Sequence, residues 1–104
     1  MARFDVYPTP FLDEREHTPF WLDVQADYLE SLATRVIVPL RRASPGSQLK
    51  QRLNPEFTVD GRAVFADMAN IASFPLSLLR RAVTNLHQER MVIDNALDFL
   101  LTGY

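Results

Sequence analysis

Alternating hydrophobic and polar residues predict two β-strands near the start of the chain. In the first, over residues 3–7, Phe4 and Val6 share one face, as a half-buried strand requires. In the second, over residues 20–25, one face is apolar, and the other mixes an indole with a carboxylate and an amide. Prolines end the first strand, and a charged loop at residues 13–17 connects it to the second.

The next apolar stretch predicts a strand inside the sheet. Residues 35–40 are apolar on both faces and rich in β-branched side chains, which is typical of a central strand. Pro39 indicates that this strand contains a bulge or lies at an edge, because proline cannot donate a ladder hydrogen bond. A longer loop follows, with turn residues at positions 44–46.

A hairpin and one more short strand follow this loop. Asp60 and Gly61 stand between two β-prone arms across residues 57–65, and Asp-Gly is a preferred pair for a two-residue type I′ turn. Residues 71–74 predict a last short strand, which Pro75 ends.

From Asn85 onward the hydrophobic period becomes helical. Asn85 is placed to cap the first amides of a helix, and Gln88, three positions later, completes a capping box. The apolar positions cover about 200° of the helix, which is wider than the ~100° that one contact with a core needs. The helix is therefore predicted to bury two sides, one against the sheet and one against a second subunit or a partner. These positions are Leu86, Val92, Ile93, Ala96, Leu97, Phe99, Leu100 and Leu101.

The remaining stripe of this helix ends in acidic groups. Asp94, Asp98 and the terminal carboxylate crowd the last turns. The helix dipole favours cations there, so each exposed carboxylate costs up to about 1 kcal/mol. Two interpretations are open: the carboxylates are simply solvated, or they form an acidic tip that meets a basic site on another protein.

Composition describes one small globular domain of the α+β class. A chain of 104 residues, 47% hydrophobic and 23% charged, fits a single packed core, so residues 1–104 are expected to form one domain. A net charge of −2 argues against an extended basic surface for nucleic acid or an anionic membrane. Cysteine is absent, and no signal peptide or spanning apolar run is found, so a cytoplasmic protein is expected.

Catalytic motifs are scarce. His17 and His87 are far apart and lack the spacing of a metal site, so no metal or cofactor is expected. His17 beside Glu14 and Glu16 offers a paired base, but a charged surface loop explains the three residues more simply. No nucleophile elbow or phosphate-binding glycine loop is present. The sequence therefore favours a binding protein over an enzyme.

Three segments resemble one known family. Residues 23–27 (Asp-Val-Gln-Ala-Asp), 35–40 (Arg-Val-Ile-Val-Pro-Leu) and 73–77 (Ser-Phe-Pro-Leu-Ser) are similar, in order and nearly in spacing, to segments of the CcdB toxins of bacterial toxin–antitoxin systems. The similarity covers essentially the whole chain. The resemblance implies a small SH3-like antiparallel β-barrel with a C-terminal α-helix, a homodimer, no enzymatic activity and a role in plasmid maintenance.

The resemblance also implies partners and a site. CcdB toxins bind and poison the A subunit of DNA gyrase, and a CcdA-like antitoxin neutralises them by wrapping the toxin with a disordered tail. The positions that correspond to the gyrase contacts of the family are Tyr28, Leu29, Asp98, Leu101, Thr102, Gly103 and Tyr104.

This site departs from the family pattern at the end of the helix. Thr102 stands where the family has tryptophan, whose stacked ring is an interface anchor of about 2 kcal/mol or more. Tyr104 offers a ring two positions later, and Asp98 in place of an amide turns a hydrogen bond into an ion pair. Two alternatives therefore stay open: a barrel toxin with altered or lost gyrase binding, or a ribonuclease toxin like those of the MazF family, which share the barrel.

Overall fold

The computed structural model describes residues 2–29, 31–44 and 52–103. Within these ranges one antiparallel sheet curls into a nearly closed barrel, and one α-helix ends the chain, which confirms the predicted α+β fold class. The strands are hydrogen-bonded in the order β4-β5-β3-β2-β1-β7, and β6 also pairs with β3. The elements are β1 (Asp5–Pro8), β2 (Phe20–Asp23), β3 (Thr34–Arg42), β4 (Glu56–Val59), β5 (Arg62–Ala66), β6 (Ala72–Pro75), β7 (Thr84–Asn85) and α1 (Arg90–Thr102).

Strand β3 is central, as its apolar residues predict. One of its edges pairs with β2, while the other pairs first with β6 over residues 34–37 and then with β5 over residues 40–42. Pro39 lies between these two partners, where its missing N–H interrupts neither ladder, and its carbonyl accepts the Asp67 N–H at 2.9 Å. The proline therefore marks a change of partner, and the predicted bulge or edge is wrong.

The predicted hairpin joins β4 to β5. Asp60 and Gly61 have φ values of 52° and 77°, and a type I′ turn requires positive φ at both positions. The flanking residues Val59 and Arg62 are paired across the turn, which confirms the hairpin. The predicted turn at residues 44–46 lies largely outside the described residues. The last short strand is observed one residue later than predicted and includes Pro75.

The sheet is buried on both faces, whereas a half-buried first strand was predicted. On one face, Val6 and Leu22 pack in the main core with helix α1. On the other, Tyr7 and Trp21 are only 2% and 4% exposed, because the chain that follows β6 folds over them. This second cluster comprises Tyr7, Trp21, Ile37 and Leu79, with Phe74, Leu78 and Ala82 packed against it.

A buried ion pair lies on this second face. Arg35 Nε donates to Asp23 Oδ2 at 2.7 Å, and both side chains are 0% exposed. Asp23 Oδ1 also accepts the Gln25 N–H at 3.0 Å. Burial raises the pKa of Asp23, while the hydrogen bonds from Arg35 and Gln25 act in the opposite direction. Among the described residues Arg35 Nη1 has no hydrogen-bond partner, so the pair is geometrically good but incompletely satisfied.

Helix α1 begins at Arg90, five residues later than predicted. Asn85 is still extended because it pairs with Asp5 in the sheet. Its Oδ1 accepts the His87 N–H at 2.8 Å, which starts a 3-10 turn ahead of the helix. Within the described chain Gln88 makes no return bond to Asn85, so the predicted capping box is wrong. The backbone of Asn85 therefore pairs in the sheet and cannot begin the helix, while its side chain accepts the first N–H of the 3-10 turn.

One of the two predicted apolar sides of α1 packs on the sheet. Ile93 and Ala96 are fully buried there. Of the other predicted apolar positions, Val92 and Leu101 remain 45% and 76% exposed, so this part of the apolar arc is not buried in the single chain. Within the described ranges, no helix has the length and apolar character needed to cross a membrane.

Removing one member of the buried pair is expected to be costly. Asp23→Leu leaves Arg35 charged in the core without its carboxylate, and should lower the free energy of unfolding by about 3–5 kcal/mol. Adding Arg35→Met should recover most of this loss, because the uncompensated charge is gone. Urea unfolding of the single and double variants at neutral pH tests this. A double variant as unstable as Asp23→Leu would contradict it.

Alkaline pH should destabilise the fold through Tyr7. Burial, helped by the carboxylates of Asp5 and Asp23, raises the pKa of Tyr7 to about 12. In the unfolded chain the Tyr7 hydroxyl ionises near pH 10. The stability that depends on the neutral hydroxyl is therefore intact below pH 10 and falls by about 2–3 kcal/mol as the pH rises towards 12. Unfolding followed from pH 9 to 11.5 should show this loss, and Tyr7→Phe should reduce it. Tyr28→Phe, at a solvated ring, serves as the control and should leave the profile unchanged.

Candidate partner-binding site

The first part of the candidate site is a 3-10 turn directly after β2. This turn, Asp27–Leu29, is called the Tyr28 turn below. Tyr28 is 84% exposed, while Leu29 is half-buried. A tyrosine ring left in solvent on an ordered turn offers apolar area and a hydroxyl together, which is typical of residues that anchor protein interfaces.

Gln25 holds the Tyr28 turn against the sheet. Its Oε1 accepts the Val36 N–H at 3.1 Å, which extends the pairing of β2 with β3 by one side-chain bond. Its Nε2 donates to the Leu29 carbonyl at 3.1 Å. A glutamine is suited to this position because one amide supplies both an acceptor and a donor, whereas a carboxylate supplies only acceptors.

Arg3 connects the Tyr28 turn to helix α1. Its backbone N–H donates to Asp27 Oδ1 at 2.6 Å, and its Nη2 donates to Asp94 Oδ1 at 2.7 Å. The Nε donates to the Val24 carbonyl at 2.9 Å. One arginine therefore holds the Tyr28 turn and the side of α1 that carries Asp94 next to each other.

The residue after Arg3 has an unusual backbone. Phe4 has a φ of 72°, which is costly for a bulky side chain, on the order of 1–3 kcal/mol. Its N–H donates to the Asp23 carbonyl at 2.6 Å, and its carbonyl accepts the Leu86 N–H at 2.9 Å. Its ring is buried in the main core. Packing and hydrogen bonds on both sides therefore stabilise the conformation that directs Arg3 towards the turn and the helix.

The ion pairs of Asp94 correct the predicted acidic tip. Asp94 lies early in α1 and is paired with Arg3 at 2.7 Å and with Arg90 at 3.7 Å, so its charge is compensated. Asp98 is exposed in the last turns. Leu101 lies two helical turns after Asp94 and so projects on the same side of the helix, towards the side that Arg3 joins to the Tyr28 turn.

The helix ends with an internally satisfied cap. Thr102 Oγ1 donates to the Asp98 carbonyl at 2.6 Å. Gly103, with a φ of 79°, donates its N–H to the Phe99 carbonyl at 3.0 Å in the left-handed conformation that glycine adopts most easily. Tyr104 lies outside the described residues. Thr102 therefore offers a partner its methyl group and the acceptor lone pairs of its oxygen, because the hydroxyl hydrogen is donated within the helix.

The predicted site residues thus fall into two groups. Arg3 joins the Tyr28 turn to Asp94, and Leu101 lies two turns further along the same side of the helix, whereas Thr102 and Gly103 form the cap. Arg3 was not predicted as part of the site, because its partner Asp94 is 91 positions away and no local pattern reports such a contact. Gln25 belongs to a segment that the sequence singled out, but its bond to the Tyr28 turn is visible only in the fold.

Fold and site together define a small α+β protein of the barrel-and-helix class with large side chains exposed along one side. Compared with models of known protein families, residues 3–103 match the CcdB protein family. The chain belongs to the CcdB family, and it is a toxin of a toxin–antitoxin system. In a sequence comparison with curated proteins, none matches the chain.

Loss of the Gln25 amide should loosen the Tyr28 turn selectively. Gln25→Ala removes two hydrogen bonds and should lower the free energy of unfolding by about 1–3 kcal/mol. Hydrogen–deuterium exchange should become faster in the Tyr28 turn and stay unchanged in β4 and β5. Gln88→Ala, which truncates an exposed glutamine, is the matched control. Unchanged exchange of the turn in Gln25→Ala would show that the amide does not hold it.

Proposed function

We propose that this toxin is a gyrase poison that acts by binding, without chemistry of its own. In this proposal the Tyr28 turn and the end of α1 bind the A subunit of DNA gyrase, trap the enzyme on cleaved DNA, and so block replication and growth. The observation that supports it most directly is the Arg3 bridge. It ties the turn of the exposed Tyr28 to the side of α1 on which the exposed Leu101 also lies, and the resemblance assigns both residues to gyrase contacts.

The physical basis of the proposal is the burial of these side chains in the complex. Central aromatic and aliphatic anchors supply most of the affinity of a typical interface, and little ordering is needed when the scaffold already holds them. Asp98 adds an exposed carboxylate at the same end of the helix, which suits a basic patch on the partner. In this arrangement Tyr28 and Leu101 compensate for the missing tryptophan at position 102.

The proposal includes the other partners of such a toxin. Residues 1–104 act as one domain in the cytoplasm, where a CcdA-like antitoxin neutralises them. Met91 and Val92, which are exposed on α1, support a homodimer because a large apolar surface of the helix is open in the single chain. Sedimentation of the pure protein should give a dimer, and a purely monomeric protein would contradict this part of the proposal.

A changed target is a second candidate, favoured by one observation. The Thr102 hydroxyl donates to the Asp98 carbonyl of its own helix, so position 102 presents no ring and no free hydrogen-bond donor to gyrase. A toxin that keeps the fold and the antitoxin could use this altered helix end on a different protein.

Gyrase assays test the leading proposal. Purified toxin should inhibit supercoiling and cause linear DNA to accumulate in a cleavage-complex assay. Removal of Gly103 and Tyr104 should abolish both effects if the end of the helix is essential. Leu101→Ala should weaken inhibition about 30-fold, as expected when an anchor worth about 2 kcal/mol is truncated.

A matched leucine provides the control. Leu12 is 74% exposed, close to the 76% of Leu101, but it lies in the loop between β1 and β2, outside the proposed site. Leu12→Ala should inhibit gyrase as well as the intact protein does. If intact toxin leaves gyrase unaffected, the second candidate is favoured. If purified toxin cleaves RNA instead, the ribonuclease alternative is favoured.

A further inference from the structure

Three arginines line a cleft whose residues lie outside the Tyr28 turn and helix α1. Arg15 comes from the loop between β1 and β2, Arg42 from the end of β3, and Arg62 from the start of β5. The cleft has a volume of about 450 Å³. Its other lining residues are Glu16, Pro19, Ala43 and Ala63. The fold therefore gathers into one place cations that are widely separated in the sequence.

Two of these guanidinium groups are positioned by uncharged partners. Arg15 Nε donates to the Thr9 carbonyl at 2.6 Å, and Thr9 is itself buried and donates its hydroxyl to the Thr18 carbonyl. Arg62 lies over the face of the buried Phe20 ring, 6.0 Å from its centroid. These contacts orient the side chains and leave their charges uncompensated.

Three other arginines behave differently. Arg3, Arg35 and Arg41 each lie within 2.7 Å of a carboxylate oxygen. By contrast, across the part of the chain that the structure describes, Arg15, Arg42 and Arg62 form no ion pair within 4.0 Å. The contrast is sharpest between the neighbours Arg41, which pairs with Asp67, and Arg42, which faces the cleft.

Like charges held close together repel one another, and a bound anion relieves that repulsion. The three arginines and Glu16 give the cleft a formal charge of about +2, which matches the charge of about −2 that a phosphomonoester carries at neutral pH. A single carboxylate offers only two oxygens, which one arginine fork already satisfies. The volume also exceeds that of a phosphate group alone, so the cleft has room for more of a ligand than its phosphate.

We propose that this cleft is a binding site for a phosphomonoester. The phosphate would belong either to a free nucleotide or to the 5′ end of a nucleic-acid strand, since both present the same terminal group. This site is separate from the Tyr28 turn and the end of α1, and it does not depend on gyrase binding.

Calorimetric titration with 5′-AMP tests the site, with adenosine as the matched ligand that lacks the phosphate. 5′-AMP should bind and adenosine should not, and the affinity should fall as NaCl is added. Arg42→Gln and Arg62→Gln should each weaken 5′-AMP binding about tenfold, as expected for the loss of one charged hydrogen-bonding group. Arg81→Gln, at an exposed arginine outside the cleft, should bind like the intact protein.

A second titration identifies the source of the phosphate. Tighter binding of a short RNA with a 5′ phosphate than of 5′-AMP would assign the site to strand ends, and equal or weaker binding would assign it to free nucleotides. Equal binding of 5′-AMP and adenosine, or no binding of either by intact folded protein, would overturn the proposal. So would displacement of 5′-AMP by a hexaglutamate peptide at lower concentration, since the cleft would then fit an acidic protein segment. Circular dichroism of each variant confirms that it is folded.

Discussion

The ion pair between Asp23 and Arg35 lies at the centre of the contacts on which the candidate site depends. Its two side chains come from neighbouring strands and are fully buried on the second face of the sheet. The Asp23 carbonyl also accepts the Phe4 N–H, and its carboxylate accepts the Gln25 N–H. The start of the chain, the centre of the sheet and the approach to the Tyr28 turn therefore meet at one residue. Such a pair contributes little net stability, but it penalises strongly any arrangement that separates its members.

The geometry of the candidate site follows from that junction. Phe4 is held in a strained conformation between Asp23 and the segment before α1, and this conformation directs Arg3 to Asp27 and Asp94. Gln25 connects the ion pair to the Tyr28 turn, because its N–H donates to the Asp23 carboxylate and its side chain donates to the Leu29 carbonyl. A protein that acts by binding gains affinity when its contact residues are already ordered, because less freedom is lost in the complex. The hydrogen bonds of Asp23, Arg35 and Gln25 keep the contact residues ordered, although these three side chains lie below the surface that a partner would touch.

Local patterns predicted much of the fold and little of the site geometry. Strands β1 and β2 followed from alternation, and the β4–β5 turn followed from Asp60 and Gly61, because in both cases neighbouring residues decide the structure. The short strand β7 was not predicted. The helix start was predicted too early because Asn85 pairs with Asp5, a contact between the two ends of the chain. The arginine cleft was not predicted for the same reason, since Arg15, Arg42 and Arg62 meet only after the barrel forms. Resemblance to the family identified positions, but not the bonds that hold them.

The end of α1 has a further consequence, for how such a toxin can diversify. The last residues of the helix that pack on the core are Leu97 and Leu100, while Leu101, Thr102 and Gly103 project beyond it into solvent. Substitutions in this final segment alter what the protein presents without disturbing what keeps it folded. Selection can therefore change these exposed residues one at a time while the barrel persists.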